Sequence, residues 1–322
     1  MKMQMHFYPE ESNVSAYGIH HVTIFCGDAR QNVDFYTDVL GLRFVKKTVN
    51  FDDPEVYHFY YGDEGGRPGS IITFFPSEKA PGELGAGQAM ETSYRVPAKA
   101  IDYWARRLAE KGVRADPIER RFGEAVLPFR DADGVRLALV GVHGAETEPA
   151  FAGADVPQDC ALRGFHGVSL LQHDAASTAT ILSDVLGFIP VAFEGPVTRF
   201  QVNHTAYGGV IDIHVDRNAS EGRLGPGSIH HVAFRAADDG QQAEMARKLS
   251  ETHSLTVTQQ LNRNYFRSIY FTEPGGVRFE IATDEPGFAV DEPASELGRN
   301  LKLPPWLEAR RLTIEAVLPV ID

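Results

Sequence analysis

Ile19-His20-His21-Val22 returns 146 residues further on as Phe165-His166-Gly167-Val168. The same offset carries Asp28 to Asp174, and Asp38-Val39-Leu40-Gly41 to Asp184-Val185-Leu186-Gly187. A constant offset over separated landmarks marks an internal duplication, and such a repeat decides the fold before any strand or helix is assigned. A second offset, 142, relates Asp133-Gly134-Val135-Arg136-Leu137 to Gly275-Gly276-Val277-Arg278-Phe279, with Leu127 and Phe129 answering to Ile269 and Phe271. The chain is a duplication in which each half is itself two units.

Working outward from the first repeat, each unit reads alike. A short alternating strand comes first, as in residues 21–26. A helix follows, opened by Asp28 as N-cap and closed past its end by Gly41. Val33, Tyr36, Val39 and Leu40 give it an apolar stripe of helical period. Three strands complete the unit, among them residues 57–61 and 70–75, with the turn cluster 63–69 between these two. The second unit begins near Met90 and has Ile101, Trp104 and Leu108 on its helix. The third begins near Gly164 and the fourth near Ser228, with Met245 and Leu249 on its helix. The expected fold is α+β: four βαβββ modules in two similar domains, residues 16–142 and 163–284. Residues 143–161, rich in Ala, Gly, Pro and acid, read as the linker. The tail, 285–322, contains Pro304-Pro305-Trp306 and an amphipathic stretch to about Val317, expected as a helix docked on the body.

Strand parity then selects chemistry, because alternate residues of a strand share a face. Val22 and Ile24 pack on the helices, so His21 and Thr23 face the concave side of the sheet. Val232 and Phe234 likewise turn His231 inward, and Val277, Phe279 and Ile281 turn Glu280 and Arg278 inward. The repeat supplies a control: Gly167 stands where His21 stands, and Ala138 where Glu280 stands. The fold therefore does not require these ligands. A buried carboxylate on an apolar strand asks for a compensating cation. The structural alternative is an ion pair of Glu280 with Arg278 or Arg263 and histidines that merely fill space. Two histidines and a carboxylate with open positions form the ligand set of non-haem Fe(II) oxygenases, and Zn(II) or Mn(II) could use the same atoms.

Bulk properties narrow the partners. The 322 residues are 43% hydrophobic and 23% charged, enough for a sizeable core. A net charge of −13 argues against nucleic acid and against an acidic membrane surface. Cys26 and Cys160 make no disulfide framework and fit a reducing compartment. The polar start of the chain shows no secretory signal, and no apolar run approaches the roughly 18–20 residues of a membrane span. A soluble cytoplasmic protein is expected. Self-association as a homo-oligomer is left open.

The units with a His on a first strand and a Glu on a last strand resemble the vicinal oxygen chelate superfamily, which includes glyoxalase I, bleomycin and fosfomycin resistance proteins and extradiol dioxygenases. Gly18-Ile19-His20-His21-Val22-Thr23, the run Phe44 to Pro54, Gly62-Asp63-Glu64-Gly65-Gly66 and Thr73-Phe74-Phe75-Pro76 resemble its hydroquinone-cleaving branch. So do Ile229-His230-His231, Arg263-Asn264-Tyr265-Phe266, Phe279-Glu280-Ile281-Ala282 and Gly287-Phe288 with Asp291-Glu292 and Leu297-Gly298. The resemblance runs from about Gly18 to Leu318. It implies an Fe(II)-dependent, extradiol-type ring-cleaving dioxygenase of aromatic degradation, acting on a para-hydroquinone and O2. It implies the metal ligands His21, His231 and Glu280, the same residues that parity selects. It also implies supporting roles for Tyr270, Arg263, His20 and His230, with Thr23 touching substrate. Parity, by contrast, sends His20 and His230 to the helix face.

Two rival readings stay open. One is another metal-dependent enzyme on this fold, a glyoxalase-like isomerase or a transferase. A glyoxalase site typically takes four protein ligands, and the first unit's counterpart of Glu280 falls near Thr73. The other is a non-catalytic protein that binds or sequesters a small aromatic; such proteins commonly lack the triad.

Overall fold

The computed structural model describes residues 18–321, apart from 152, 154, 203, 204 and 206. The first unit comprises β1 (Ile19–Cys26), α1 (Ala29–Asp34), β2 (Arg43–Asn50), β3 (Asp53–Gly62) and β4 (Ile71–Pro76). The second comprises β5 (Gln88–Pro97), α2 (Ile101–Glu110), β6 (Glu119–Arg121), β7 (Glu124–Arg130) and β8 (Arg136–Val142). The third comprises β9 (Phe165–Gln172), α3 (Ala176–Asp184), β10 (Ile189–Glu194), β11 (Val197–Gln201) and β12 (Val210–Val215). The fourth comprises β13 (Ile229–Ala236), α4 (Asp239–Glu251), β14 (Leu261–Asn262), β15 (Arg267–Thr272) and β16 (Arg278–Thr283). All four units are βαβββ, as the repeat predicts. Asp28 caps α1 by accepting from the Gln31 N–H at 2.7 Å, and α1 continues into a π-helical turn, Phe35–Val39. Gly41 has φ +68°, the left-handed region that ends a helix without a Cβ penalty.

The units do not pair in chain order. One eight-stranded sheet runs β14-β15-β16-β13-β1-β4-β3-β2, and the other β10-β11-β12-β9-β5-β8-β7-β6. Units one and four share the first sheet; units two and three share the second. Each sheet therefore takes one unit from each of the stretches 16–142 and 163–284. The junctions are the antiparallel pairs β1–β13 and β5–β9. The helix-facing sides of both sheets merge into one large core that includes Val22, Ile24, Trp104, Phe165, Val232 and Phe279.

Register shifts at the junctions correct the parity argument. On β1, Ile19 and His21 partner the consecutive residues Phe234 and Ala233, so His20 is an extra, bulged residue. On β13, His231 and Ile229 partner the consecutive Thr23 and Ile24, so His230 is bulged in the same way. A bulge disrupts strict alternation and re-aims a side chain. His20 and His230 therefore stand on the concave side beside His21 and His231, not on the helix face. The second sheet repeats the device at Met90 and His166.

The concave side of the second sheet is filled by ion pairs. Arg199 forks onto Asp212 with two 2.8 Å bonds and also reaches Glu124, which accepts from His166 at 3.1 Å. Burial pushes the Glu124 carboxyl up, but His166 and Arg199 more than offset this and bring it from 4.5 down to about 2. A depressed carboxylate stabilises the fold above its ordinary pKa and loses that contribution as pH falls through the folded value. Stability is thus expected to fall between about pH 4.5 and 2, and Glu124→Gln to flatten that window. Equal acid slopes in both proteins, followed by circular dichroism, would remove Glu124 from the account.

The tail turns back onto unit one. Phe288 and Leu297 join Val45, Tyr60, Tyr265 and Phe266 in a second cluster inside the first sheet's curve. Fully buried Lys46 bonds Asp291 at 2.7 Å and Glu292, tying the tail to β2. The helix expected near the C-terminus is α5 (Arg311–Val317), which buries Ile314. Among the described residues no helix is long and apolar enough to cross a membrane.

Candidate metal centre

The bulged junction between β1 and β13 brings His21 and His231 side by side, and β16 lies parallel to β13 with Glu280 opposite Ala233. His21, His231 and Glu280 are 2%, 5% and 0% exposed, so the site is out of bulk water. Glu280 Oε2 lies 2.8 Å from His231 Nε2 and 3.3 Å from His21 Nε2, and the two nitrogens are 3.4 Å apart. Oε2 nonetheless makes no well-formed hydrogen bond. Three buried lone-pair donors converging within 4.8 Å of one another fit a small cation. Burial pushes the Glu280 carboxyl up, but the two imidazoles hold it well below the usual carboxylate range. It is ionised, the form in which a carboxylate can hold a cation.

Each of the two histidines has a second histidine against its other ring nitrogen. His20 Nδ1 lies 2.9 Å from His21 Nδ1, and His230 Nδ1 lies 2.9 Å from His231 Nδ1. Each contact holds one proton. With each Nε2 lone pair left free for a cation, His21 and His231 would carry their protons on Nδ1 and donate, and His20 and His230 would accept. Burial lowers both acceptors: His20 falls well below its ordinary value, and His230 goes to about 3. Both stay neutral at physiological pH. Ser268 donates to Glu280 Oε1 and orients the carboxylate from the other side.

A cavity of ≈ 100 Å³ opens over the triad, lined among others by Thr23, Phe75, His230, Phe266, Tyr270 and Arg278. Thr23, Tyr270, Arg263 and His230 all line it, whereas His20 sits behind His21 against the Phe266 ring. Arg263 donates to the Tyr270 hydroxyl at 3.2 Å and pairs with Asp52 across the mouth at 2.9 Å. Burial and then the Glu280 charge push the Tyr270 phenol far above its ordinary value. Arg263 and Arg278 both lie over the Tyr270 ring, 5.4 and 5.3 Å from its centre. The sequence reading overlooked His58, Tyr60, Asn50 and Asp52, which also line this cavity. Parity in β3 carried the signal for two of them. Tyr57, Phe59 and Tyr61 pack in the main core, which turns His58 and Tyr60 inward.

Among the described residues the second sheet has no such centre. The register puts Gly167, Glu91 and Ala138 at the three ligand positions, and Arg121 pairs with Glu91 there. A Cβ on Gly167 would meet the Val210 carbonyl oxygen at 2.3 Å, so no side chain fits at that position.

Several known proteins are similar to this chain over nearly its whole length. MhqO of Bacillus subtilis (strain 168), named as a candidate ring-cleaving dioxygenase, is 44% identical over 299 residues, covering 92% of this chain and 94% of its own. The chlorohydroquinone/hydroquinone 1,2-dioxygenase of Sphingobium indicum is 33% identical over 300 residues, covering 90% of this chain and 92% of its own. The crystal structure of a candidate dioxygenase from Bacillus subtilis subsp. subtilis str. 168 superposes with a TM-score of 0.91 at 41% identity, covering 96% of this chain and 98% of that one. The sequence profile of one superfamily matches residues 18–139 and again 164–281. This chain, with its doubled fold, belongs to the glyoxalase/bleomycin resistance protein/dioxygenase superfamily.

Proposed function

We propose that this chain is an Fe(II)-dependent, extradiol-type ring-cleaving dioxygenase that opens a para-hydroquinone with O2. The observation that carries it is the buried His21–His231–Glu280 set at the floor of a cavity walled by Phe51, Phe75 and Phe266. The similarity to a chlorohydroquinone/hydroquinone 1,2-dioxygenase over most of both chains supports the substrate class. Two imidazoles and one carboxylate leave coordination positions open, as oxygen-using iron sites do. Ferrous iron bound there would supply the redox and Lewis-acid chemistry that lets a phenol react with O2. Zn(II) or Mn(II) fit the same atoms, and metal analysis separates the three. Thr73 stands at the first unit's counterpart of Glu280, since each partners the residue two places after its unit's histidine: Thr23 and Ala233. A threonine there favours an open-sided site over the four-ligand isomerase.

The chain's own groups bind and orient the ring. A hydroquinone offers the metal one oxygen, whereas a catechol can chelate with two. The protein must therefore hold a hydroquinone by its ring and hydroxyl groups. Tyr270, kept as a neutral phenol, can donate to a substrate oxygen while its own oxygen accepts from Arg263. His230 accepts on Nδ1 and so carries its proton on Nε2, a second donor on the cavity wall. The test is O2 uptake after anaerobic Fe(II) loading, with methylhydroquinone and with catechol. Hydroquinone is expected to be the better substrate. Tyr270→Phe and Arg263→Ala should each lower its kcat/KM by about tenfold to a hundredfold with metal retained, shifting preference toward catechol. A wild-type preference for catechol of about tenfold or more would overturn the hydroquinone assignment. No O2 uptake with either substrate would overturn the dioxygenase.

A further inference from the structure

Unit one contains an unassigned polar chain that ends at the metal cavity. The Tyr60 hydroxyl lies 2.9 Å from His58 Nδ1, and His58 Nε2 lies 2.9 Å from Thr73 Oγ1. Thr73 Oγ1 lies 2.9 Å from Thr23 Oγ1. Tyr60, Thr73 and Thr23 are 1%, 0% and 0% exposed, and His58 is half-buried against the Phe75 ring. The register makes this set the repeat image of the metal side. Tyr60 partners Thr73 as Tyr270 partners Glu280, so Tyr60, His58 and Thr73 answer to Tyr270, Ser268 and Glu280. The position that supplies a metal ligand in unit four supplies a hydrogen-bond link in unit one.

The chain of contacts admits two proton orders, and the direction of the Thr73–Thr23 bond chooses between them. If Thr23 donated to Thr73, then Thr73 would donate to His58 and His58 to Tyr60. The Tyr60 proton would then need another acceptor. Tyr60 lines the same cavity as Thr23, so burial alone does not decide; the Thr73 hydroxyl, however, is placed to donate to Thr23 Oγ1 at 2.9 Å, which excludes this order. In the opposite order Tyr60 donates to His58 Nδ1, His58 Nε2–H donates to Thr73, and Thr73 donates to Thr23. Every buried proton is then used except that of Thr23, which lines the cavity two residues from His21.

We propose that Tyr60, His58 and Thr73 form a one-way hydrogen-bond chain that makes the Thr23 hydroxyl an obligate donor to a substrate oxygen on the open side of the metal site, with His58 as the positioning residue that sets its direction. The guest is thereby specified as an oxygen acceptor, a phenolate or the lone pair of a ring hydroxyl. No proton needs to leave the chain. This rests on the ring-cleaving reading for the identity of the guest.

Two measurements test it on the full-length protein. The first needs no guest: ¹⁵N-histidine NMR at neutral pH should show His58 locked with its proton on Nε2. A proton on Nδ1 overturns the chain. The second is anaerobic binding of hydroquinone to Zn(II)-loaded protein, where no turnover occurs, with metal content measured alongside. Thr23→Val and His58→Leu should each weaken binding by about tenfold, and the double variant should be no weaker than Thr23→Val alone. Thr23→Ser and His58→Gln, whose amide can still donate to Thr73, should stay within about twofold of wild type. Additive losses, or no recovery with His58→Gln, would overturn the proposal. Failure of the wild type itself to bind hydroquinone would overturn the ring-cleaving reading, and with it the proposed guest.

Discussion

Glu280→Ala is expected to purify folded, without metal and without activity. The carboxylate is fully buried and is the only negative charge among the three convergent ligands, so its loss removes both a donor atom and the charge that balances a divalent cation. Removing a residue that merely supports a ligand typically costs ten- to a hundredfold in metal affinity, and loss of a ligand should cost on the order of a hundredfold or more. The fold should survive, because Ala138 occupies the matching place in the second sheet, between Leu137 and Leu139 of a fully buried strand segment. His21→Ala and His231→Ala should behave alike. Elemental analysis with thermal unfolding by circular dichroism decides the matter. Full metal occupancy in the variants would sink the ligand assignment, whereas loss of fold would give the three residues a structural role that Gly167 and Ala138 argue against.

Dividing the chain in the linker, into 1–150 and 155–322, is expected to abolish activity in each piece and restore it when the pieces are made together. Each half would retain two units that belong to different sheets. The N-terminal piece would expose the inner edges of β1 and β5, because their partners β13 and β9 lie on the other piece. Unpaired, flat inner edges are templates for association, so aggregation or self-pairing of the isolated halves should accompany the loss. The proposed metal centre is divided as well, with His21 on one piece and His231 and Glu280 on the other. Co-purification, metal content and O2 uptake measure the outcome. A C-terminal half that binds metal and turns over by itself would show that His21 is dispensable.

Much of this architecture is legible in the residues. The offsets of 146 and 142 give four units, and parity gives the triad, because both depend on local spacing that a strand or helix must respect. The cross-pairing of units is not legible in the same way. The repeat fixes what each unit is, but β1 and β9 have the same inner-strand pattern, and nothing local says which neighbour each will take. His20 and His230 show a second limit. Alternation assigns them to the helix face, and only the register of the partner strand shows that each is one residue too many. His58, Tyr60 and Thr73 went unassigned for a third reason. Tyrosine and threonine are ordinary strand formers, and their hydroxyls acquire meaning only when β3, β4 and β1 lie side by side.

The order in which the strands pair has a temporal side. During synthesis β5 should find β9 early, since Ser93 and Gly167 are 74 residues apart, while Thr23 must wait for His231, 208 residues later. Loop closure of the longer span costs more entropy, and domains form as their parts emerge. Units two and three should therefore fold on the ribosome while unit one remains an open edge, and the site that needs His21 and Glu280 together should be the last thing built. Ribosome-bound chains ending near residue 225 should resist proteolysis from about 88 to 215 and be cut within 18–76; equal protection of both regions would show that unit one folds without its partner. A newly made chain would thus have no complete set of donors for a metal until Glu280 has emerged, and synthesis would separate metal loading from the folding of units two and three.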